Sequence, residues 1–115
     1  MPTALEVRFY RSSRDVEPVR DWLHALPRES RKAIGEDIKT VQLGWPLGMP
    51  LVRKLEAGLW EVRCHVPAGI ARMLFTVEGP TMVLLHGFVK KSAKMPKPDL
   101  ETARLRKREV QHGET

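Results

Sequence analysis

The chain has 115 residues, enough for one hydrophobic core and too few for two, so we expect a single domain over residues 1–115. Its 20 lysines and arginines outnumber 14 aspartates and glutamates, and the formal net charge of +6 favours nucleic acid, an anionic surface or an acidic protein as partner. One cysteine excludes an intramolecular disulfide, and no cysteine–histidine spacing resembles a zinc site.

We expect neither a targeting signal nor a membrane span in this sequence. Met1–Ala4 opens it without the basic and then apolar segment of a signal peptide. The longest apolar runs, such as Met82–Leu85, are far too short to span a bilayer. We therefore expect a cytoplasmic protein that makes no membrane contact and uses no metal or other cofactor.

The N-terminal part predicts a strand followed by a helix. Apolar and polar residues alternate from Leu5 to Tyr10, which is typical of a strand with one buried face. Ser13 or Asp15 can cap a helix whose apolar residues follow the three-four spacing of one buried stripe. Pro18 suits the first turn of this helix, and Pro27 ends it.

A second helix and an irregular connection come next. The helix is predicted from about Arg28 to Leu43, with one apolar side, and Gly44 is placed to stop it. The two helices should form a hairpin. Residues 44–50 are rich in glycine and proline, so we expect an irregular connection into a strand at Leu51–Leu55.

Residues Leu59 to Lys94 predict three short strands that carry cationic groups. In the first strand two sets of residues alternate, Trp60, Val62 and Cys64 with Glu61, Arg63 and His65. Because the side-chain period of a strand is two, the apolar set should face a core and the polar set should face solvent or a ligand. Cys64 then reads as a small buried core residue.

Turn chemistry sets the register of the first hairpin. A loop over Val66–Gly69 would pair His65 with Ile70. With that register, Arg63 lies directly opposite Arg72. The register is a hypothesis, because a slip by one residue would move these side chains to the other face.

A second hairpin extends the same row of charges to a third strand. A turn over Glu78–Pro80, with Val77 opposite Thr81, would place Arg72 across from His86. Like charges directly opposite each other cost about 0.2–1 kcal/mol. The row therefore makes physical sense chiefly if an anion lies across it, and phosphate suits the planar fork of arginine.

The last part of the chain predicts a buried strand and a basic helix. Met82–Leu85 lacks alternation, which suits a central strand buried on both faces. The segment Lys91–Pro98 cannot continue a sheet, and a closing helix should run from about Pro98 to Gln111. The predicted fold class is α+β: an N-terminal strand, a helical hairpin, an antiparallel meander within a small twisted mixed sheet, and a basic C-terminal helix.

Several segments of the chain carry a family resemblance: Val52–Leu55, Gly58–Arg63, Ala71–Phe75 and Val83–Lys91. They contain an arginine after Trp-Glu-Val, a strand opening on arginine, and the block His-Gly-Phe-Val-Lys-Lys. With this order of elements, the chain resembles the RelE/ParE toxin superfamily, and more closely its phage-derived, HigB-like branch. The combination of segments is fairly specific, whereas any one alone is weak.

The resemblance implies the toxin of a type II toxin–antitoxin system. Such a toxin is a metal-free ribonuclease that usually cleaves mRNA in the ribosomal A site. The ribose 2′-OH attacks the adjacent phosphate, so the site must activate that hydroxyl, neutralise the phosphoryl oxygens and protonate the leaving 5′ oxygen. The resemblance also implies a helix-turn-helix antitoxin that inactivates the toxin and represses their operon, so that operator DNA is a partner only through the antitoxin.

The resemblance places site residues where the chain matches the family's motifs. Arg63 and Arg72 would bind the phosphate, and His86 can exchange a proton near neutral pH. The tyrosine that usually follows the His-Gly-Phe-Val-Lys-Lys block is missing, so a histidine or lysine must replace it. The predicted catalytic residues are Arg63, Arg72, His86 and Lys90, and the predicted RNA-binding residues are Lys54, His65, Lys91, Lys94, Arg104 and Lys107.

Two classes of function remain open. One is the ribosome-dependent endoribonuclease. The other is a binding protein, because the superfamily includes ParE-like members that poison DNA gyrase, and degenerate members that only bind RNA or regulate. The arginine row favours the nuclease, since a gyrase binder does not need to grip phosphate. Simpler roles also stay open: Arg63 could pair with Glu61, and the basic last helix could be only a solvated face.

Overall fold

The computed structural model describes residues 4–91 and 94–113, so Met1–Thr3, Ser92–Ala93 and Glu114–Thr115 lie outside the described residues. The elements in chain order are β1 (Glu6–Phe9), α1 (Pro18–Ala25), α2 (Arg28–Gly44), β2 (Val52–Glu56), β3 (Leu59–Val66), β4 (Gly69–Glu78), β5 (Thr81–Lys90) and α3 (Lys97–Gln111). This order confirms the predicted α+β fold. Within these described ranges, no helix is both long and apolar enough to cross a bilayer.

The strands form one five-stranded mixed sheet in the order β1-β5-β4-β3-β2. β1 is parallel to β5, and the other neighbouring strands are antiparallel. Helices α1 and α2 share a core with Val62 and Met73 on one face of the sheet. Helix α3 shares a second core with Leu59 and Leu74 on the opposite face. Helices therefore cover both faces of the sheet, so a polar side chain on either face of a strand can be buried.

The middle of β5 is buried on both faces, as its lack of alternation predicted. Met82 and Leu84 belong to the core under α1 and α2, whereas Val83 and Leu85 belong to the core under α3. β5 lies between β1 and β4, so it is also an interior strand of the sheet. A strand with protein on every side needs no polar face.

The predicted start of α1 is wrong. Neither Ser13 nor Asp15 caps the helix, which begins only at Pro18. The hydroxyl of Ser12 instead accepts a hydrogen bond from the backbone N–H of Val16 at 3.2 Å. A short polar side chain that bonds to the backbone a few residues ahead stabilises a turn, and this turn precedes the helix.

The predicted register of the first hairpin is confirmed. His65 pairs with Ile70, and Arg63 lies directly opposite Arg72. The pairing continues for one pair more than predicted, to the ends of β3 and β4. The turn between these strands is therefore tighter than the loop that we expected.

The predicted register of β4 against β5 is wrong, and the first reason is the turn. Glu78 pairs directly with Thr81, so the turn contains two residues rather than the three expected. Gly79 has a φ of +57°, a left-handed conformation that suits glycine. The shorter turn moves the following pairs along by one position.

A β-bulge in β5 changes the register a second time. Leu74 pairs with His86, while the next residue on β4 pairs two positions earlier on β5, so Leu85 is the extra residue. Arg72 consequently pairs with Phe88, and not with His86 as predicted. His86 becomes the diagonal neighbour of Arg72 instead of its direct partner.

Gly87 should be essential for packing α1 on the sheet. A Cβ atom there would lie 2.5 Å from Cζ3 of Trp22 and 3.1 Å from Sδ of Met73. We expect Gly87→Ala to lower the free energy of unfolding by about 1–3 kcal/mol, because overpacking displaces the indole ring. At Gly35 in α2, apart from its chain neighbours and the nearby backbone of its own helix, no atom of the described residues lies within 4 Å of such a Cβ. Gly35→Ala should therefore be stabilising by about 0.5–1 kcal/mol.

Urea denaturation of both variants measures these effects. A loss at Gly35→Ala as large as that at Gly87→Ala would contradict the role assigned to the contact with Trp22.

Candidate functional site

Glu61 lies at the centre of a group of arginines on the face of the sheet that α3 covers. It pairs with Arg53 of β2 and lies two residues before Arg63, which pairs in turn with Arg72 of β4. Oε1 of Glu61 lies 3.4 Å from Nε of Arg53 and 3.8 Å from Nε of Arg63. Oε2 lies 3.6 Å from Nη1 of Arg72. We call these four residues the arginine cluster, and its net charge is positive.

The members of the arginine cluster differ in exposure. The side chains of Glu61 and Arg72 are 0% exposed, whereas those of Arg63 and Arg53 are 21% and 35% exposed. Burial lowers the pKa of Arg72, Glu61 opposes this effect, and Arg63 and Arg53 add to it. Within the cluster, Arg53 and Arg63 are therefore the residues that a ligand from solvent can touch.

The anion that relieves the repulsion between Arg63 and Arg72 is part of the protein. The like-charge pair led us to expect an external phosphate across it. The carboxylate of Glu61 lies within ion-pair distance of both arginines instead. The simpler alternative, that Arg63 pairs with Glu61, is thus confirmed, and a phosphate is not needed to explain why the arginines are neighbours.

His86 lies beside the arginine cluster and is held by α3. Its Nε2 lies 2.6 Å from Oδ1 of Asp99, which belongs to the first turn of α3. Because a carboxylate oxygen accepts the hydrogen bond, Nε2 carries the proton and Nδ1 is the nitrogen that can exchange one. The ring of Phe88, which lies opposite Arg72, is 5.8 Å from the His86 ring between centroids.

Some of the remaining predicted residues lie near the arginine cluster. His65 and Lys90 both pair with Ile70, from opposite sides, so they form the next row of the sheet beyond Arg63. Both side chains are exposed. Lys91, directly after β5, and Lys94, three residues later, are also exposed. Lys90 therefore adds positive charge in the row next to the cluster, and Lys91 and Lys94 follow it in the chain.

Lys54 lies on the opposite face of the sheet. It pairs with Trp60, and directly paired residues of neighbouring strands point to the same side. The ring of Trp60 contacts Trp45 and Phe75 in the core under α1 and α2, with centroids 5.0 and 5.9 Å away. The structure therefore does not bring Lys54 together with Arg63.

Arg104 and Lys107 attach α3 to the turn between β2 and β3. Nε and Nη2 of Arg104 donate to Oε1 of Glu56 at 2.9 and 2.7 Å, and Nζ of Lys107 donates to the carbonyl of Ala57 at 2.9 Å. The hydrogen bond from Arg104 lowers the pKa of Glu56, although desolvation opposes it. Both basic residues thus have contacts within the fold.

Cys64 occupies the core position that the sequence predicted. It is fully buried in the core under α1 and α2. Burial raises the pKa of the Cys64 thiol, and the Asp37 carboxylate adds to this effect. Within residues 4–91 and 94–113, no group of three or more His, Cys, Asp or Glu side chains is placed to hold a metal ion.

Sequence reasoning did not assign Arg53, Glu61 or Asp99 to the site. The alternation along β3 already placed Glu61 on the same face as Arg63, so that signal was present. The helix dipole favours an acidic residue in the first turn of a helix. This preference explains why an aspartate occurs at position 99, but it does not indicate that the side chain contacts β5. Its contact with His86 joins elements that no local pattern connects.

Comparison with known proteins identifies the family of the chain. The family model described as phage-derived protein Gp49-like (DUF891) matches residues 21–108, from within α1 to near the end of α3. The chain belongs to the Gp49-like family. This family lies in the RelE/HigB-like toxin group, which is consistent with a toxin of a toxin–antitoxin system. No curated protein matches the chain significantly.

Arg72 and Arg63 of this Gp49-like protein should differ in their contribution to stability. Arg72→Ala should lower the free energy of unfolding by about 3 kcal/mol or more, because it removes a buried partner of a buried carboxylate. Arg63→Ala should cost about 1 kcal/mol or less, since its side chain is partly exposed and Glu61 keeps two arginines. Urea unfolding at neutral pH measures both, and equal losses would contradict this ranking.

The ion pair between Glu56 and Arg104 should give a pH-dependent contribution. A carboxyl whose pKa is lowered in the folded state stabilises the fold above its unfolded pKa, and this stability is lost as the pH falls through the folded pKa. We expect the wild type to exceed Glu56→Gln in stability by at most about 1 kcal/mol at neutral pH, because the pair is largely exposed.

The difference should begin to fall as the pH drops below the ordinary glutamate pKa of about 4.3, and it should vanish once the pH is below the lowered pKa of Glu56 in the folded state. Thermal unfolding of both proteins between pH 2 and 7 tests this expectation. A difference that persists in acid would show that the charge of Glu56 is not its cause.

Proposed function

We propose that this protein is the toxin of a type II toxin–antitoxin system, from the HigB-like branch of its group, and that it cleaves mRNA on the ribosome as a metal-free endoribonuclease. The observation that carries the proposal is the arginine cluster, whose positive charge is partly exposed at Arg53 and Arg63. A cognate helix-turn-helix antitoxin would neutralise the toxin in the cytoplasm.

Arg63 is the residue proposed to bind the scissile phosphate. It is partly exposed and fixed in place by Glu61, and arginine can donate paired hydrogen bonds to phosphate oxygens. Such donors stabilise the negative charge that develops on phosphorus-bound oxygens in the transition state. Arg53 adds positive charge, while the buried Arg72 supports the arrangement from below.

His86 and Lys90 are proposed to move the protons. Nδ1 of His86 takes the proton of the 2′-OH, while Nε2 stays bound to Asp99. The 2′ oxygen then forms a bond to phosphorus, the bond from phosphorus to the 5′ oxygen breaks, and Lys90 protonates the leaving oxygen. The products are a 2′,3′-cyclic phosphate and a 5′-hydroxyl end.

The exposed basic residues beside the cluster are proposed to bind the RNA backbone. His65 lies in the same row of the sheet as Lys90, Lys91 follows Lys90 directly in the chain, and Lys94 comes three residues after Lys91. Contacts of this type depend on salt and carry little sequence information. Any codon preference would therefore come from the ribosome or from contacts with bases.

Induced expression followed by mapping of new mRNA 5′ ends tests the proposed function. We expect the wild type to arrest growth and to produce cuts at in-frame positions within translated messages. Arg63→Ala should reduce the cuts by about 10²-fold or more, because one donor to the transition-state charge is lost. Arg63→Lys should retain part of the activity, since it keeps the charge but not the fork.

Lys39→Ala is the matched control, because Lys39 is an exposed cation on α2. It should cut like the wild type. Growth arrest without RNA cuts would contradict cleavage and indicate a gyrase-type target, and no arrest at all would indicate an inactive or purely regulatory protein.

A further inference from the structure

Glu61 holds three arginines by charge rather than by directed hydrogen bonds. Its nitrogen–oxygen distances to the arginines are 3.4, 3.6 and 3.8 Å, longer than the usual 2.7–3.2 Å of N–H···O bonds. Among the described residues, neither of its oxygens has a hydrogen-bond partner, although both are buried. The carboxylate therefore balances the arginines without using up their directed donors.

The partly exposed arginines keep donor capacity that an external anion can use. Nε of Arg53 and Nε of Arg63 are buried on the Glu61 side without a hydrogen-bond partner among the described residues, and the remaining, exposed parts of these side chains, 35% and 21%, are what an anion from solvent can reach. Phosphate carries several acceptor oxygens and forms short, charge-assisted hydrogen bonds with guanidinium groups. A phosphate that approaches from solvent meets these two side chains first, with Glu61 behind them.

We infer that Glu61 is an internal counter-anion that limits the affinity of the arginine cluster for phosphate groups. It offsets part of the positive charge of the arginines when no phosphate is bound, and its own charge repels any phosphate that binds them. Two negative charges about 6 Å apart in partly buried surroundings repel strongly enough to change an affinity tenfold or more. The inference rests on the proposed function only in naming the RNA backbone as the natural source of the phosphate.

The consequence is a site that is stable when empty and releases phosphate readily. Without a carboxylate, three clustered guanidinium groups would destabilise the fold and hold any available phosphate tightly. With it, a single phosphate contact remains weak, so binding depends on further contacts along the RNA. A cluster built in this way discriminates against free phosphate and small phosphorylated molecules.

Titration with inorganic phosphate tests the inference without RNA or ribosomes. The wild type, Glu61→Gln and Glu56→Gln are compared by calorimetry, and by thermal unfolding in phosphate and in chloride of equal ionic strength. We expect Glu61→Gln to bind phosphate at least about tenfold more tightly than the wild type. We also expect it to have a lower Tm in chloride and to regain most of the loss in phosphate.

Glu56→Gln is the matched control, because it removes one carboxylate charge from an arginine pair outside the cluster. It should bind phosphate as weakly as the wild type. Equal affinities in the wild type and Glu61→Gln would overturn the inference, and so would an equal gain in both variants, which would reflect net charge alone. Tighter phosphate binding by Glu61→Gln without RNA cuts by the wild type would overturn the proposed function but not this inference.

Wild-type protein supplies the test if Glu61→Gln does not fold. NMR follows the Nε–H resonances of Arg53 and Arg63 and the side-chain carboxyl carbon of Glu61 during the same phosphate titration. If phosphate and the Glu61 carboxylate compete for the arginines, the three resonances should shift together over one range of phosphate concentration. Arginine resonances that shift while the carboxyl carbon stays unchanged, or no shift at all, would overturn the inference.

Discussion

The pairing of Glu61 with three arginines is the constraint on which the cationic side of the sheet depends. Strands β2, β3 and β4 each place an arginine on the same face, and neighbouring like charges alone would push these strands apart. The carboxylate stands on the middle strand and attracts all three guanidinium groups. The strands can therefore pair normally, and the same face continues into the apolar core under α3.

The β-bulge in β5 connects this charged region to α3. Because of the extra residue, Leu85 packs in the core under α3 while the next residue, His86, meets Asp99 at the start of that helix. The carbonyl of Leu85 also accepts a hydrogen bond from Nη1 of Arg106 at 2.8 Å. One irregularity thus provides both the packing and the polar contacts that hold α3 next to the arginine cluster.

The sequence predicted the elements far better than the environment of the site. Turn chemistry between β3 and β4 was sufficient to place Arg63 opposite Arg72, because a short turn leaves little freedom in a hairpin register. The alternation along β3 could not show that Glu61 and Arg72 are fully buried, since α3 covers a face which the pattern assigned to solvent or a ligand. Neither the two-residue turn after Glu78 nor the bulge at Leu85 was recognised from the sequence, and together they replaced His86 by Phe88 opposite Arg72.

Because Arg72 is buried and Arg63 is partly exposed, the two arginines have different roles in the proposed site. Glu61 directs one oxygen to Arg72 and the other to Arg53 and Arg63. Because Oε2 of Glu61 lies beside Arg72, the carboxylate cannot pair with Arg63 through both oxygens. The guanidinium group of Arg63 therefore keeps donors for a ligand. In the proposed function, Arg72 would therefore act on the site through Glu61, as a positioning residue. Loss of activity on replacing Arg72 would then report a displaced carboxylate rather than a missing phosphate contact, whereas Arg63 is the residue whose replacement tests the contact itself.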